Sequence, residues 1–404
     1  MGTFYFPCLR CYLCGTERLS YEKIESYLDR SCDLLKKLIT YNTCQPEGNE
    51  TELLEYLLTL FPSDINYKKL IHSANRSSLV IKIPGKNREK ALAFVGHVDT
   101  VPYGAKENWT YEPSLPTQMG DRIYGRGSSD MKGGVAAMTI TAIYLLENKI
   151  TPNKDILFCY TADEEKTGLG ACAVNMIPEM ERVDEMIIAE PTCAQISLGE
   201  KGALWVRLRA CGRQSHGSYP ELGINGIEML FTLFSKIKEH LDTRMVQNLF
   251  GHSTITVTNF HGGIATNILP AKAEMDLDIR LIPGISNQSV LDMIQQEIEN
   301  LSRINPPLTI EMEVLNDRPA VAVEPAEPLV QKMLSAVKGL NMNPQLRATI
   351  FYTDASQIVP AHRIPFLILG PGDDKLAHQG NEYVEITSMK AVTNLFIQYV
   401  TQYM

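Results

Sequence analysis

The chain has 404 residues, 44% of them hydrophobic, 21% charged and 8% aromatic, a balance that supplies a packed core and excludes a disordered chain or a fibre. At roughly 100 to 200 residues per domain, the length calls for two or three domains. Acidic residues outnumber basic ones by 47 to 38, which argues against nucleic acid as partner, and no apolar run approaches the roughly 20 residues needed to span a bilayer.

Residues 4–14 are mildly apolar but lack a basic region and a small-residue cleavage site, so residues 1–19 read as an N-terminal extension rather than a signal. Cys8, Cys11 and Cys14 have the spacing of half a zinc or iron–sulfur site, with no fourth ligand nearby. The nine cysteines are scattered, as reduced thiols are, and predict a cytoplasmic protein. After Ser20, a fair N-cap, Ile24, Tyr27, Leu28, Leu35, Leu38 and Ile39 recur at helical spacing and predict a helix over 21–39. Two β-type runs, 78–83 and 91–95, flank the turn Pro84-Gly85-Lys86-Asn87.

A buried helix over 133–147, a strand over 156–160, a helix over 170–176 and a strand over 186–189 come next. This alternation predicts an α/β sheet with helices on both faces. The rhythm then changes to strand 204–210, helix 226–240, strands 254–260 and 272–281, helix 289–301 and strand 308–314. That βαββαβ order is the pattern of a ferredoxin-like α+β unit. A helix over 329–337, a strand over 366–369 and a helix over 385–403 return to the α/β style. The expected organisation is an α/β domain made of residues 20–200 and 316–404, interrupted by a ferredoxin-like insert over 201–315.

Five segments place metal-capable side chains at strand ends, where open α/β sheets carry their sites. In Gly96-His97-Val98-Asp99 the side chains of His97 and Asp99 point the same way, so Asp99 can orient an imidazole whose other nitrogen binds a metal. The glycine-rich turn from Tyr124 to Gly134 delivers Asp130 just before a helix, either as that helix's cap or as a carboxylate bridging two metals. It lacks the Gly-Lys-Ser/Thr of a phosphate loop. Asp163-Glu164-Glu165 stacks acids after an apolar strand, which repel one another unless a cation or proton compensates, so the segment reads as a metal site in preference to a solvated charge cluster. Glu190 and His378 end the last two segments. Two histidines and three carboxylates suit two divalent ions, zinc first, with cobalt or manganese as substitutes. His72, His240, His252, His261 and His362 lack such company; His261, beside Gly262-Gly263, is the one whose loop is expected to face the cleft.

Taken together, Gly96 to Pro102, Tyr124 to Gly134, Ala162 to Glu165, Glu190-Pro191-Thr192, Ser215-His216-Gly217-Ser218, Asp278-Ile279-Arg280, Gly370-Pro371-Gly372 and Ala377-His378-Gln379 resemble the co-catalytic di-zinc deacylases and peptidases. That family includes acetylornithine deacetylase, succinyl-diaminopimelate desuccinylase and glutamate carboxypeptidase. The resemblance implies a zinc-exopeptidase-like catalytic domain with an inserted lid and dimerisation domain. It implies that Asp130 bridges two zinc ions, that His97 and Glu190 hold one, and that Glu165 and His378 hold the other. It further implies that Asp99 orients His97, that Glu164 is the general base, and that His216 stabilises the oxyanion from the partner subunit of a homodimer.

Asn267 and Arg280 would grip a substrate carboxylate, with an ion pair from Arg280 to Asp276 or Asp278 as the other reading. Gly370 and Gly372 would offer backbone N–H groups to the same carboxylate or simply make a turn. The expected activity is removal of an acyl group from an N-acyl amino acid in arginine or lysine biosynthesis. The alternatives are a carboxypeptidase or dipeptidase of the same family, and a metal-free homologue that only binds amino-acid derivatives. Gly380-Asn381 departs from the Pro-Asp of acetylornithine deacetylases, and Thr353-Asp354-Ala355-Ser356 looks desuccinylase-like.

Overall fold

A computed structural model describes residues 15–242, 249–343 and 345–404; Cys8, Cys11 and Cys14 lie outside these. In chain order the elements begin with α1 (Gly15–Ile39), α2 (Glu50–Thr59), β1 (Asn66–Ile71), β2 (Ser77–Ile83), β3 (Asn87–His97), β4 (Thr117–Met119) and β5 (Arg122–Tyr124). They continue with α3 (Lys132–Glu147), β6 (Lys154–Thr161), α4 (Leu169–Asn175), β7 (Val183–Ile188), β8 (Ile196–Glu200), β9 (Gly202–Cys211) and β10 (Ser215–His216). Next are α5 (Gly226–Asp242), β11 (Thr254–Gly262), β12 (Ile268–Leu269), β13 (Lys272–Leu281), α6 (Asn287–Ile304), β14 (Thr309–Arg318) and β15 (Val321–Ala322). The chain closes with α7 (Pro328–Gly339), β16 (Leu346–Thr349), α8 (Ala355–His362), β17 (Phe366–Ile368), β18 (Tyr383–Glu385) and α9 (Ile386–Gln398).

The chain forms two compact units, one ending at Ile196 and resuming over Gln331–Pro344 and Ile368–Met404, the other made of Ser197–Val330 and Gln345–Leu367. These borders differ from the expected ones after residues 200 and 315. β15 pairs with β8 in the second unit, and Lys201 N–H donates to the Thr349 carbonyl at 3.2 Å. Such pairings join segments far apart in sequence, which local rhythm does not report.

In the first unit the strand order is β1-β2-β6-β3-β7. β2 runs antiparallel to β1 and β6, while β3 is parallel to β6 and β7. β6 is buried at every position, as a parallel strand covered on both faces must be. α1, α3 and α9 pack on one another. α3 has almost no polar face, and Thr139 hides its hydroxyl by bonding back to the Val135 carbonyl at 2.7 Å and to the Tyr160 hydroxyl at 2.9 Å. At its start, buried Lys132 donates to the carbonyls of Leu38 (3.1 Å) and Tyr41 (2.8 Å), joining α3 to the end of α1. Burial pushes the pKa of this amine down to about 8.

The second unit contains the four-stranded sheet β11-β13-β9-β14, antiparallel throughout. Chain order and sheet order together give the ferredoxin-like βαββαβ topology. β13 alternates buried and half-buried positions, so one face carries Ala273, Met275, Leu277, Ile279 and Leu281. α5 covers that face with Leu230, Leu233, Ile237 and Leu241, and α6 with Val290, Ile294, Ile298 and Leu301, positions repeating every three or four residues. Ser286 caps α6 through its hydroxyl, which accepts from Ser289 N–H at 3.1 Å.

One glycine governs how closely α3 approaches β7. A Cβ on Gly134 would run into the Ala189 carbonyl oxygen, so only glycine lets the first turn of α3 lie against the chain leaving β7. On an open helix Gly→Ala stabilises by about 1 kcal/mol. Gly134→Ala is expected to have the opposite sign and destabilise by about 1–3 kcal/mol, the cost of overpacking, read as a lower denaturant midpoint.

Candidate metal centre

The parallel strands bring their C-terminal ends to one edge: His97 lies opposite Thr161, and Val95 opposite Ile188. His97 therefore ends β3, Glu164 and Glu165 follow β6, and Glu190 follows β7. All are buried or nearly so: His97 is 1% exposed, Glu190 3% and Glu164 4%, and the Glu165 side chain 6%. Asp130 arrives from the turn before α3 and His378 from the loop before β18.

Asp130 is not the helix cap. The residue at the cap position of α3 is Met131, and no side chain caps it. The Asp130 carboxylate instead lies between two imidazoles, with Oδ1 3.0 Å from His97 Nε2 and Oδ2 3.4 Å from His378 Nε2. Each imidazole has a second carboxylate beside it: Glu190 Oε1 is 3.6 Å from His97 Nε2, and Glu165 Oε2 is 2.9 Å from His378 Nε2.

These separations can be tested against metal binding. Two ligand atoms each about 2.1 Å from a zinc ion at a tetrahedral angle stand about 3.4 Å apart, and the four pairs above range from 2.9 to 3.6 Å. Ligand atoms of His97, Asp130 and Glu165 all lie within 4.8 Å of one another. Glu165 Oε1 is buried and accepts no hydrogen bond, a state that costs free energy unless a cation engages it. The donor set fits two divalent ions sharing Asp130.

The electrostatics agree. Burial opposes charge on His97, but the Glu190, Asp130 and Glu164 carboxylates more than offset it and hold its pKa well above the ordinary histidine value. Hydrogen bonds from its ring N–H to the Asp130 and Glu165 carboxylates raise His378 to about 10. Asp130 is held below the usual carboxylate range: burial would raise it, and the bonds from His378 and His97 prevail. Glu165 is raised by burial and by neighbouring Asp130. In the metal-free protein the imidazolium protons supply positive charge between the acids.

Asp99 stands behind His97 in a way the extended-strand geometry did not indicate. The His97 Nδ1 partner at hydrogen-bond distance is the Asp99 backbone carbonyl, 3.0 Å away, whereas the nearest Asp99 carboxylate oxygen is at 3.7 Å. The carboxylate instead accepts from the backbone N–H groups of Glu164 (3.1 Å) and Glu165 (3.2 Å) and from Gln45 Nε2 (2.8 Å). Asp99 thus aims the imidazole with its main chain and holds the 164–165 turn with its side chain.

Gln45, Arg76 and Glu50, partners in this hold, were not among the residues expected from the sequence. Arg76 pairs with Asp163, donates to Gln45 Oε1 at 2.8 Å and lies 3.2 Å from Glu50 Oε1. Burial pushes the Glu50 carboxyl up to about 7, against the pull of Arg76. The only sequence signal for Arg76 or Glu50 was an acid or base amid polar residues.

Of the two glycines expected to offer N–H groups to a substrate carboxylate, Gly370 has its own already engaged. Gly370 N–H donates to Thr192 Oγ1 at 3.1 Å, so it is committed within the protein. A Cβ on Gly370 would strike the Ala189 and Glu190 carbonyls, and one on Gly372 would strike Ser129. These glycines permit close packing against the Glu190 and Asp130 segments.

The remaining expected residues belong to the second unit. His216 is exposed, its Nδ1 accepting from Ser218 N–H at 3.1 Å. It pairs with Ile268 across β10 and β12, next to Asn267, whose carbonyl accepts from Gly217 N–H at 2.8 Å. The Arg280 fork is occupied by Asp278, at 2.8 and 3.0 Å; the ion-pair reading describes it here. His261 lines a cavity of about 630 Å³ with Arg209, Lys272, Glu274 and Glu311, within that unit.

Residues 93–402 match the peptidase family M20/M25/M40. The chain belongs to this family. A probable succinyl-diaminopimelate desuccinylase of Staphylococcus aureus (strain N315) is 29% identical over 391 residues, covering 88% of this chain and 94% of that protein. Among solved structures, a tripeptidase from Staphylococcus aureus subsp. aureus Mu50 superposes with a TM-score of 0.75 at 20% identity, covering 93% of this chain and 98% of that one. A dinuclear metal-binding M20 peptidase from Bacillus subtilis gives 0.71 at 14% identity, over 94% and 100%. These two likenesses show the shared fold. As an M20 member the chain is an amide-hydrolysing, metal-dependent enzyme. Among the described residues no helix is long and apolar enough to cross a membrane.

Metal ligation needs neutral imidazoles, whereas the neighbouring carboxylates raise the pKa of His97 and bring that of His378 to about 10 in the metal-free M20 chain. Zinc uptake is therefore expected to release protons at pH 7, that of His378 foremost. Because the His378 pKa is raised, metal affinity should increase with pH until about 10. Titration of metal-free protein in weakly buffered solution measures both.

Proposed function

We propose that this chain hydrolyses the amide bond of an N-acyl amino acid, with a succinylated diamino acid of the desuccinylase type as substrate and two zinc ions as cofactor. The observation that carries the reading is the shared carboxylate of Asp130, 3.0 Å from one imidazole and 3.4 Å from the other, with one further acid beside each. In this reading His97 and Glu190 hold one ion, Glu165 and His378 the other, and Asp130 both. The desuccinylase relative from Staphylococcus aureus, matched over 94% of its own length, supports the acyl specificity.

Held by these residues, two divalent ions would supply Lewis acidity to the site, lowering the pKa of water there and polarising a scissile carbonyl. Glu164 acts as general base: it takes the water's proton on its carboxylate and returns it to the leaving amine. Its backbone is tied to Asp99 Oδ1 at 3.1 Å, which fixes the carboxylate's starting point without occupying it. The Asp99 carbonyl fixes the His97 tautomer by accepting from Nδ1–H, leaving Nε2 as the ligand atom. His216, Asn267 and Arg280 carry recognition of the oxyanion and the substrate carboxylate. For Arg280 this requires release from Asp278, so the fork exchanges one carboxylate for another.

Glu164→Gln is expected to keep its metal and lose turnover by about 10²- to 10⁴-fold, the span of general acid–base catalysis, measured as kcat alongside metal content. A substrate panel tests the specificity: N-succinyl-diaminopimelate should be cleaved with a higher kcat/KM than N-acetylornithine or simple dipeptides. Preference for a dipeptide would replace the deacylase reading with the peptidase one.

A further inference from the structure

Two ions that share Asp130 stand wherever its turn holds it, and residues 126–130 belong to no helix or strand. Three N–H groups of this turn converge on a single buried carboxylate, that of Glu382, while those of Arg126 and Ser128 go to the Pro113 and Gly125 carbonyls. Gly127 N–H donates to Oε2 at 3.1 Å, while Ser129 and Asp130 N–H donate to Oε1 at 2.8 and 3.1 Å. Arg126 closes the arrangement. Its Nη1 donates to Glu382 Oε2 at 2.7 Å and to the Gln379 carbonyl at 3.1 Å, directly beside His378. Its Nη2 donates to the Pro102 carbonyl at 3.2 Å, and the guanidinium lies over the Trp109 ring at 5.1 Å.

Glu382 is 0% exposed and Arg126 4%. A buried charged pair is costly to desolvate, and neutral groups or water could have satisfied an ordinary turn. Charge-assisted hydrogen bonds are shorter and more directional than neutral ones. This pair directs them at the main chain of Asp130 itself and of the residue after His378. Its bonds go to backbone groups of the two metal-site segments, not to the Asp130 carboxylate or the His378 imidazole.

We propose that Glu382 and Arg126 are positioning residues that fix the distance between Asp130 and His378 and so set the affinity for the ion on the His378 side. His97 and Glu190 sit at or just beyond the ends of β3 and β7 and keep their places without the clamp. Its loss therefore falls on one ion more than on the other. The inference rests on the two-ion reading of the site.

The test titrates metal-free wild type, Glu382→Gln and Arg126→Lys with zinc and with cobalt at buffered free-ion concentrations, reading stoichiometry by calorimetry and cobalt absorption. Wild type should take up two ions. Glu382→Gln should bind the first with nearly unchanged affinity and the second about 10- to 100-fold more weakly, the usual cost of losing an outer-shell partner. At limiting zinc its kcat should fall with KM little changed, and excess zinc should restore it. Arg126→Lys, which keeps the charge but loses the fork, should shift in the same direction by less.

Unchanged affinities for both ions, or equal weakening of both, would overturn the proposal and leave the pair as ordinary scaffolding. Failure of both variants to fold would overturn it too, since the pair would then support the whole domain; if only Glu382→Gln fails to fold, Arg126→Lys decides. Should wild type bind fewer than two ions, the two-ion reading itself has failed, an outcome distinct from a wild type with two ions and an indifferent variant.

Discussion

The organising constraint in this protein is the concentration of negative charge in a place with little water. Asp99, Asp130, Glu164, Glu165 and Glu190 are gathered at one edge of a sheet, and most are nearly inaccessible. Carboxylates so placed repel one another and lose hydration, so the fold is stable only if positive charge stands among them. In the metal-free state the surrounding acids favour the imidazolium form of His97 and His378, raising the pKa of both. A site that holds protons this firmly is also one that rewards divalent cations, which is the physical link between stability and chemistry here.

Around the acids lies a layer of groups that hold main chain rather than substrate. Asp99 accepts from the N–H groups of Glu164 and Glu165, and Gln45 links that carboxylate to Arg76, which pairs with Asp163 and Glu50. Asp163 takes up a left-handed conformation, φ 64°, sparsely populated for residues with a side chain and sustained by this network. Glu382 and Arg126 treat the Asp130 turn in the same way. Rigid strands place His97, and for residues on turns this polar layer does the work that strand pairing does elsewhere.

Much of the architecture was legible because its signals are local. The strand predicted over 272–281 coincides with β13, and the βαββαβ rhythm of the second unit emerged because alternating and helical periods change cleanly along the chain. The elements α2, β1, β4, β5, β8, β10, β12, β15, β16, β18 and α8 escaped; most are too short for a period to register. The ligand candidates were legible for another reason: acids and histidines after apolar strands conflict with burial unless they have a function. Arg76, Gln45, Glu50, Arg126 and Glu382 were not, since a charged residue in a polar stretch looks like solvated surface until its burial is known.

The amino-acid sequence by itself determined the layered α/β class, the ferredoxin-like insert and the inventory of metal-capable side chains, because hydrophobic periodicity and residue chemistry are properties of short stretches. Only the tertiary structure decided that Asp130 lies between His97 and His378 instead of capping α3. The same holds for Asp99, which aims its histidine through a carbonyl, for Gly370, whose N–H is already taken, and for Arg280, which faces Asp278. Each of these depends on distances of about 3 Å between groups that, for Asp130 and Gly370, lie far apart in sequence, and such distances are set by how the elements pack, which no local pattern encodes.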